Sequence, residues 1–420
     1  MKTSFNLAAG KIAAFQTGTL ADHITGYADL LERNGYATEY GYEKLRQLRD
    51  FSRWLQRRHL GVTDINEELV AAFRSRRCIK RHGFGEGATL TLLLKYLRNM
   101  NAIPFSGPVP AASPIDSVVE EYRKHQVIER CLGEPTVAGY CRAIRRFLLE
   151  VSADVGCDFK KLSAAQINQF VLKETTRFGR KACQLSTSSI RSFLRFLLMT
   201  GRLDRDLTSA VPTVAGWPAS ELPHYLESGD VHKLLASCDR KTDNGKRNYA
   251  ILLLLARLGL RAGEVSRLEL SDIDWNASEI RINGKHGRVD RLPLPQDVGK
   301  AIVEYLKCRH AESSSKRLFL HAHAPYMGLE ATPPNCVSSI VRRALKRAHL
   351  NPPHKGAHIL RHSLATRMLG SGVSIFQIGQ VLRHATIQTT EIYAKVDLTS
   401  LRKLAKPWPE VRHENHRHTR

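Results

Sequence analysis

Acidic residues are scarce in this 420-residue sequence: Asp and Glu number 40 against 64 Lys and Arg, a formal charge of +24. That excess disfavours cationic partners and points to a polyanion, nucleic acid above all, with a merely basic protein of ribosomal kind as the plainer alternative. The eight cysteines (Cys78, Cys131, Cys141, Cys157, Cys183, Cys238, Cys308, Cys336) contain no CxxC pair. Their scatter argues against a zinc ribbon or a disulfide framework and reads them as reduced, buried thiols. No GxxxxGK[ST] loop is present, so a P-loop nucleotide site is excluded. Long apolar runs are missing too: the longest, AILLLLA at 250–256, is too short to span a bilayer. The opening MKTSFNLAAGKIAAF is broken by Asn6, Gly10 and Lys11 too early for a secretory leader. The expectation is a soluble cytoplasmic protein without a membrane partner.

With 42% hydrophobic residues the chain can bury sizeable cores, and its length favours two or three over one. Two stretches rich in Pro, Gly, Ala and Ser, 103–116 and 211–225, read as linkers. The expected parts are a helical module at 1–105, a second helical domain at 116–210, a mixed domain at 226–408 and a flexible tail at 409–420. The first two resemble each other. Phe51 and Trp54 precede Ile65, Val70 and Phe73 as Phe147 and Val151 precede Leu162, Ile167 and Phe170; LLKYLRNMNAI at 93–103 matches FLRFLLMTGRL at 193–203. A duplication is one reading, and coincidence between two helical bundles is the other. Basic residues share these amphipathic helices, so Arg53, Arg57, Arg58, Lys95 and Arg98 in the first part, and Arg142, Arg145, Arg146 and Arg195 in the second, are candidate DNA contacts.

The third part mixes helix and strand. Periodicity predicts helices over 230–238, 245–258, 335–349, 357–370 and 374–383, with Gly259 at a left-handed C′ position and Ser374 with Gln377 as a capping box. EIRIN at 279–283 and VDRLPL at 289–294 alternate as strands around the turn GKHGR. The fold class is therefore mainly α with a small β-sheet, the last domain mixed α+β.

Four segments of this domain concentrate residues able to hold and attack a phosphodiester: RLGLRAGE, GKHGRVDR, HILRH and LRHATIQTTEIYAK. None carries an acidic cluster of the kind hard cations require, which points to phosphoryl transfer without a metal. His358 and His362 stand at zinc-pair spacing, but Ile359 occupies the place of the HExxH glutamate.

These segments resemble the signature boxes of the tyrosine recombinase or phage integrase family over roughly the last 190 residues. The resemblance makes Arg261 and Arg361 the catalytic arginines, Lys285 the catalytic lysine, His358 the first residue of the HxxR box, His384 the second histidine and Tyr393 the nucleophile. Six positions in order and spacing are far more specific than one. The chemistry agrees. Two guanidiniums can grip both non-bridging oxygens of one phosphate and stabilise the pentacoordinate transition state. Nearby arginine charges would favour loss of the Tyr393 proton, His358 can accept it, and Lys285 can protonate the leaving oxygen. Arg288 beside the same turn is a further candidate DNA contact. A phosphotyrosine ester conserves the energy of the cut bond, so no cofactor is expected.

The chain departs from the family at Arg383, where glycine usually precedes the second histidine, and at Ala394–Lys395 after the tyrosine. Arg383 is expected to add a phosphate contact or to alter the loop. The resemblance further implies a helical core-binding domain at 116–210, duplex DNA at specific sites as partner, a homo-tetramer on DNA, with a second recombinase or accessory protein as a further candidate partner, and docking of 398–405 on a neighbour. A catalytically silent DNA-binding protein and a topoisomerase-like relaxase are the competing readings.

Overall fold

The computed structural model describes residues 12–75, 86–104, 113–155, 158–215, 222–284, 288–310, 313, 315–331, 336–384 and 386–394. Lys285, the 398–405 segment and the 409–420 tail lie outside the described residues. The chain divides into two compact units, one of Met1–Ile103 with Glu221–Arg420, the other of Pro104–Ser220.

The first 103 residues form α1 (Ile24–Arg33), α2 (Thr38–Gln56), α3 (Glu67–Ser75) and α4 (Glu86–Asn99). Ile24, Tyr27, Ala28 and Leu31 recur three and four apart, so α1 buries one stripe and leaves the other wet. The core centres on Phe51, Trp54 and Phe73, whose ring centroids lie 4.9, 5.4 and 5.9 Å apart. The module rests on the loop around residues 310–326. Gly35, at φ 70°, faces the stacked rings of His310 and Tyr326, and a Cβ there would come within 3.1 Å of both.

The unit Pro104–Ser220 contains α5 (Pro114–Ile128), α6 (Glu134–Val155), α7 (Ala164–Arg177) and α8 (Arg180–Met199). Its four helices follow the order of those of the first module, with a 3₁₀ turn between the second and third, at Val62–Asp64 in one and Phe159–Lys161 in the other. Local details repeat as well. The Tyr27 hydroxyl donates to the Thr89 carbonyl at 3.1 Å and that of Tyr122 to Ser189 at 3.5 Å. After the last helix, Asn101 and Gly201 both take positive φ, and the next N–H returns to Leu97 or Leu197 at 2.9 Å. Of the apolar positions matched between the two stretches, Phe51, Trp54, Ile65, Val70, Phe73, Leu93, Leu94, Leu97 and Ile103 and their counterparts in the second unit are buried, whereas Tyr96, opposite buried Phe196, is only half-buried.

Residues beyond 221 form α9 (Ser228–Ala236), α10 (Asp243–Arg257), α11 (Ala262–Arg267), β1 (Ile273–Asp274), β2 (Glu279–Asn283), β3 (Val289–Pro293), α12 (Gln296–Leu306), α13 (Cys336–Arg347), α14 (His358–Gly370), α15 (Ile375–Val381) and α16 (Gln388–Glu391). The strands make an antiparallel sheet in the order β1-β2-β3, with Ile280 opposite Leu292 and Ile282 opposite Asp290. The apolar run at 250–256 is a core helix: α10 is buried from Ala250 to Ala256 and packs on α12 and α14. Gly259 takes φ 58° as expected, and a Cβ there would reach 2.8 Å from Leu382 and 3.0 Å from Leu364. The Ser374–Gln377 capping box forms, and the hairpin strands fall within one residue of their expected limits. Neither β1, two residues long, nor α12 was anticipated. A two-residue strand has no readable period, whereas the α12 stripe of Val298, Ala301, Ile302 and Tyr305 recurs three and four apart and is readable in the sequence. Of the described cysteines, Cys183 and Cys238 are buried but Cys131 is exposed, contrary to the expectation of uniformly buried thiols. Among the described residues no helix is long and apolar enough to cross a membrane.

Candidate active site

Three chain segments converge on one turn. The first runs from the end of α10 into α11. Arg261 sits at the N-cap of α11, and Glu264, three residues on, reaches back to accept the Arg261 backbone N–H at 2.8 Å. This is the reciprocal half of a capping box, which aligns the two side chains. The Glu264 carboxylate also accepts Arg261 Nη1 at 2.7 Å. Burial works to raise the Glu264 pKa, but the Arg261 N–H and the Arg383 and Arg261 charges together hold it below the usual carboxylate value.

The second segment is α14. Arg361 is 3% exposed; its Nη1 donates to the Gly259 carbonyl and its Nη2 to that of Leu382. It thereby ties α14 to the turns after α10 and α15. Burial, then the Arg261 and Arg383 charges, push its pKa down to about 10, so it remains a cation at neutral pH. His358 opens the helix with an exposed edge, its pKa held below the ordinary imidazole value by packing and by the charges of Arg361 and Arg261.

The third segment is the turn after α15 and the chain to Tyr393. Arg261 Nη2 lies 3.4 Å from the Arg383 carbonyl, so consecutive carbonyls of this turn receive the two arginines assigned as a phosphate clamp. His384 Nδ1 lies 2.7 Å from the Thr390 hydroxyl. Tyr393 is 1% exposed, packed with Leu364, Ala365, Ile378 and Leu382. Its hydroxyl is 2.8 Å from His362 Nδ1. Burial drives the tyrosine pKa up to about 12 against the opposing Arg361 charge. The expectation that arginine charge lowers it is met in sign, but burial outweighs it here. The structure places His362 on the Tyr393 hydroxyl, whereas the sequence suggested His358 as proton acceptor.

Burial lowers the pKa of both His362 and His384 to about 4, assisted for His362 by His358 and for both by Arg361. A folded value below the unfolded one means the stabilisation is full above the unfolded pKa of about 6.5 and is lost as pH falls towards 4. The melting temperature is therefore expected to fall between pH 6.5 and 5, a window in which few carboxylates titrate, and His362→Gln should flatten the slope. A wild-type melting temperature that stays level over that window would contradict these assignments.

The structure thus brings together Arg261, His358, Arg361, His384 and Tyr393, and carries the β2–β3 hairpin up to Gly284 and Arg288 on either side of the Lys285 turn. Of the two expectations for Arg383, a phosphate contact or an altered loop, the first is not met: the side chain is turned inward and 3% exposed. Sequence reasoning missed Glu264 and the role of His362. The signal for the first was its capping spacing from Arg261; for the second it was the i+4 repeat in HILRH, read only as a discounted zinc pair.

The candidate DNA contacts divide. Arg53, Arg57, Arg58, Lys95, Arg142 and Arg195 are exposed. Lys95 lines a cleft of about 760 Å³ shared with His310 and Tyr326. Arg98 pairs with Glu67 at 2.5 Å, Arg145 with Asp116, Arg146 with Glu174 at 2.6 Å and Arg288 with Asp290 at 2.9 Å. Among the described residues no group of three His, Cys, Asp or Glu side chains is placed to hold a metal ion.

Comparison with known proteins places this geometry. Residues 224–399 match the phage integrase family, and residues 119–201 match the phage integrase N-terminal SAM-like domain. A Sinorhizobium fredii protein named as an integrase/recombinase, y4rA, is 41% identical over 93% of this chain and 95% of its own length. Tyrosine recombinase XerC of Pelobacter propionicus is 28% identical over 71% of this chain and 97% of its own. Among solved structures, the post-cleavage complex of XerH site-specific recombinase bound to palindromic difH substrate aligns with a TM-score of 0.55 at 18% identity, over 76% of this chain and 89% of that one.

Proposed function

This chain belongs to the phage integrase family of tyrosine recombinases, DNA strand-transferases, and from that membership we propose that it is a site-specific recombinase that cuts and rejoins duplex DNA through a 3′-phosphotyrosine at Tyr393 to move a mobile element. The observation that carries the reading is the meeting of Arg261, Arg361 and His384 at the 382–384 turn, with Tyr393 in the cluster behind it.

In the reaction, Arg261 and Arg361 hold the non-bridging oxygens of the scissile phosphate and bear the charge that grows on them. The Tyr393 oxygen attacks phosphorus and its proton passes to an adjacent base. The bond to the 5′ oxygen breaks, and Lys285 protonates that oxygen. A partner strand's 5′ hydroxyl then reverses the step, so neither ATP nor another cofactor enters. The buried, protonated Tyr393 must move toward the phosphate, and the short 386–394 segment that bears it is tied down by the His384–Thr390 and His362–Tyr393 contacts and by the Tyr393 ring in its apolar cluster. We place the enzyme in the bacterial cytoplasm on its DNA, as four protomers on two sites. The test is joint-molecule formation between two labelled duplexes, each carrying the joined ends of the element that encodes the gene. Exchange supports the reading; binding without exchange counts against it.

The module at 1–105 is proposed to be a second copy of the helical DNA-binding domain at 116–210, supported by the repeated order of helices and hydrogen bonds. Arg53, Arg57 and Arg58 are three of its exposed cations, clustered at the end of one helix. If all three meet phosphates, their joint replacement by Ala should reduce the slope of log K against log salt by roughly 2.7, about 0.9 per contact. An unchanged slope in a salt titration would remove the module from the DNA footprint.

A further inference from the structure

Arg383 occupies the C′ position of α15 with φ 55°. The backbone there closes as a helix C-cap: Arg383 N–H returns to Gln380 O and His384 N–H to Gly379 O, each at 3.0 Å. A left-handed residue at such a cap is ordinarily glycine, because a Cβ meets the carbonyl that follows. This chain puts arginine there and then buries it, a second penalty unless the charge is paired. Two unfavourable choices at one position need a compensating interaction.

That interaction crosses the site. Arg383 Nη2 donates to Glu264 Oε2 at 2.9 Å, on the carboxylate that also holds Arg261. Nη1 reaches the Val381 carbonyl at 3.3 Å. Nε has no hydrogen-bond partner and faces Asp290 Oδ2 of β3 at 4.0 Å. The Arg383 carbonyl in turn accepts from Arg261. The residue thus touches the arginine, its counter-ion and the hairpin strand together. An Arg261–Glu264 pair by itself is electrically neutral and attracts an anion weakly. A third charge on the same carboxylate returns a net positive unit to the pair, at short range and in a partly buried setting where charge is poorly screened.

We propose that Arg383 is a positioning residue for the phosphate clamp: by neutralising Glu264 and fixing the 382–384 turn, it leaves the charge of Arg261 free to act on the scissile phosphodiester. The proposal rests on the recombinase reading of the site. It does not require Arg383 to touch DNA.

The test is single-turnover cleavage of the element-end duplex by full-length protein, with circular dichroism to verify folding of each variant. Arg383→Met should cleave roughly 10- to 100-fold more slowly while binding the duplex about as well, and Arg383→Lys should recover much of the loss. The discriminating readout is the double variant. Glu264→Gln combined with Arg383→Met removes the uncompensated carboxylate and should cleave about tenfold faster than Arg383→Met alone, a non-additivity expected only of residues acting on one another. If Arg383→Met does not fold, Arg383→Gly, which relieves the backbone strain, takes its place. Folded single variants cleaving within about threefold of wild type, or a double variant no faster than the single, would overturn the proposal. Wild-type protein that forms no adduct would instead overturn the recombinase reading, and this inference with it.

Discussion

Replacing Tyr393 by Phe is expected to leave duplex binding intact and to reduce covalent protein–DNA adduct to background. The ring lies in a small apolar cluster with Leu364, Ala365, Ile378 and Leu382, and phenylalanine fills the same volume. The lost atom is the hydroxyl 2.8 Å from His362 Nδ1, so the fold loses one buried hydrogen bond and His362 a partner, a cost of about 1–3 kcal/mol. The chemistry loses its nucleophile, for which no neighbouring side chain substitutes in the proposed mechanism. Denaturing gels of labelled duplex incubated with each protein check the expectation. An adduct persisting in Tyr393→Phe at wild-type yield would remove Tyr393 from the mechanism.

The second large effect is expected at Arg361, whose two terminal nitrogens hold the Gly259 and Leu382 carbonyls of separate turns. Arg361→Ala removes a clamp cation and leaves two buried carbonyls without that partner. Cleavage should fall on the order of 10²–10³-fold, as for loss of a preorganised oxyanion donor, and stability should fall by about 1–3 kcal/mol per unsatisfied group. Arg361→Lys should rescue little, because one ammonium lacks the rigid fork that spans both carbonyls. Single-turnover rates with thermal unfolding separate the two losses. An Arg361→Ala protein that cleaves within about threefold of wild type would show that the phosphate is held elsewhere.

Much of this architecture was legible because local chemistry and tertiary demand coincide. Alternation in EIRIN and VDRLP specifies a hairpin in any context that offers one apolar face, and Gly259 is called for by a turn where a Cβ would strike Leu382. His358 and Arg361 lie on a helix, and His384 just past another, whose limits the periodicity locates, whereas the short helices beside Arg261 and Tyr393 carry no readable period and those two residues are legible only from their motifs. What was not legible depends on direction. HILRH announces two histidines one turn apart, but only the packed helix shows that His362 faces Tyr393 while His358 keeps an open edge. A basic residue in a basic protein gives no sign of whether it faces solvent or a carboxylate, so Arg146, held by Glu174 and Ser186, looked the same as exposed Arg142. For the same reason the sequence leaves Arg383 open between a phosphate contact and an altered loop; the left-handed turn that sends it inward is invisible in LRH.

Mass spectrometry of the protease-digested adduct tests the central claim most directly. Wild-type protein trapped on a nicked element-end duplex should yield a peptide containing Tyr393 that carries a nucleotide joined through its 3′ phosphate. A nucleotide on any other residue, or cleaved duplex with no protein attached to it, would contradict the account.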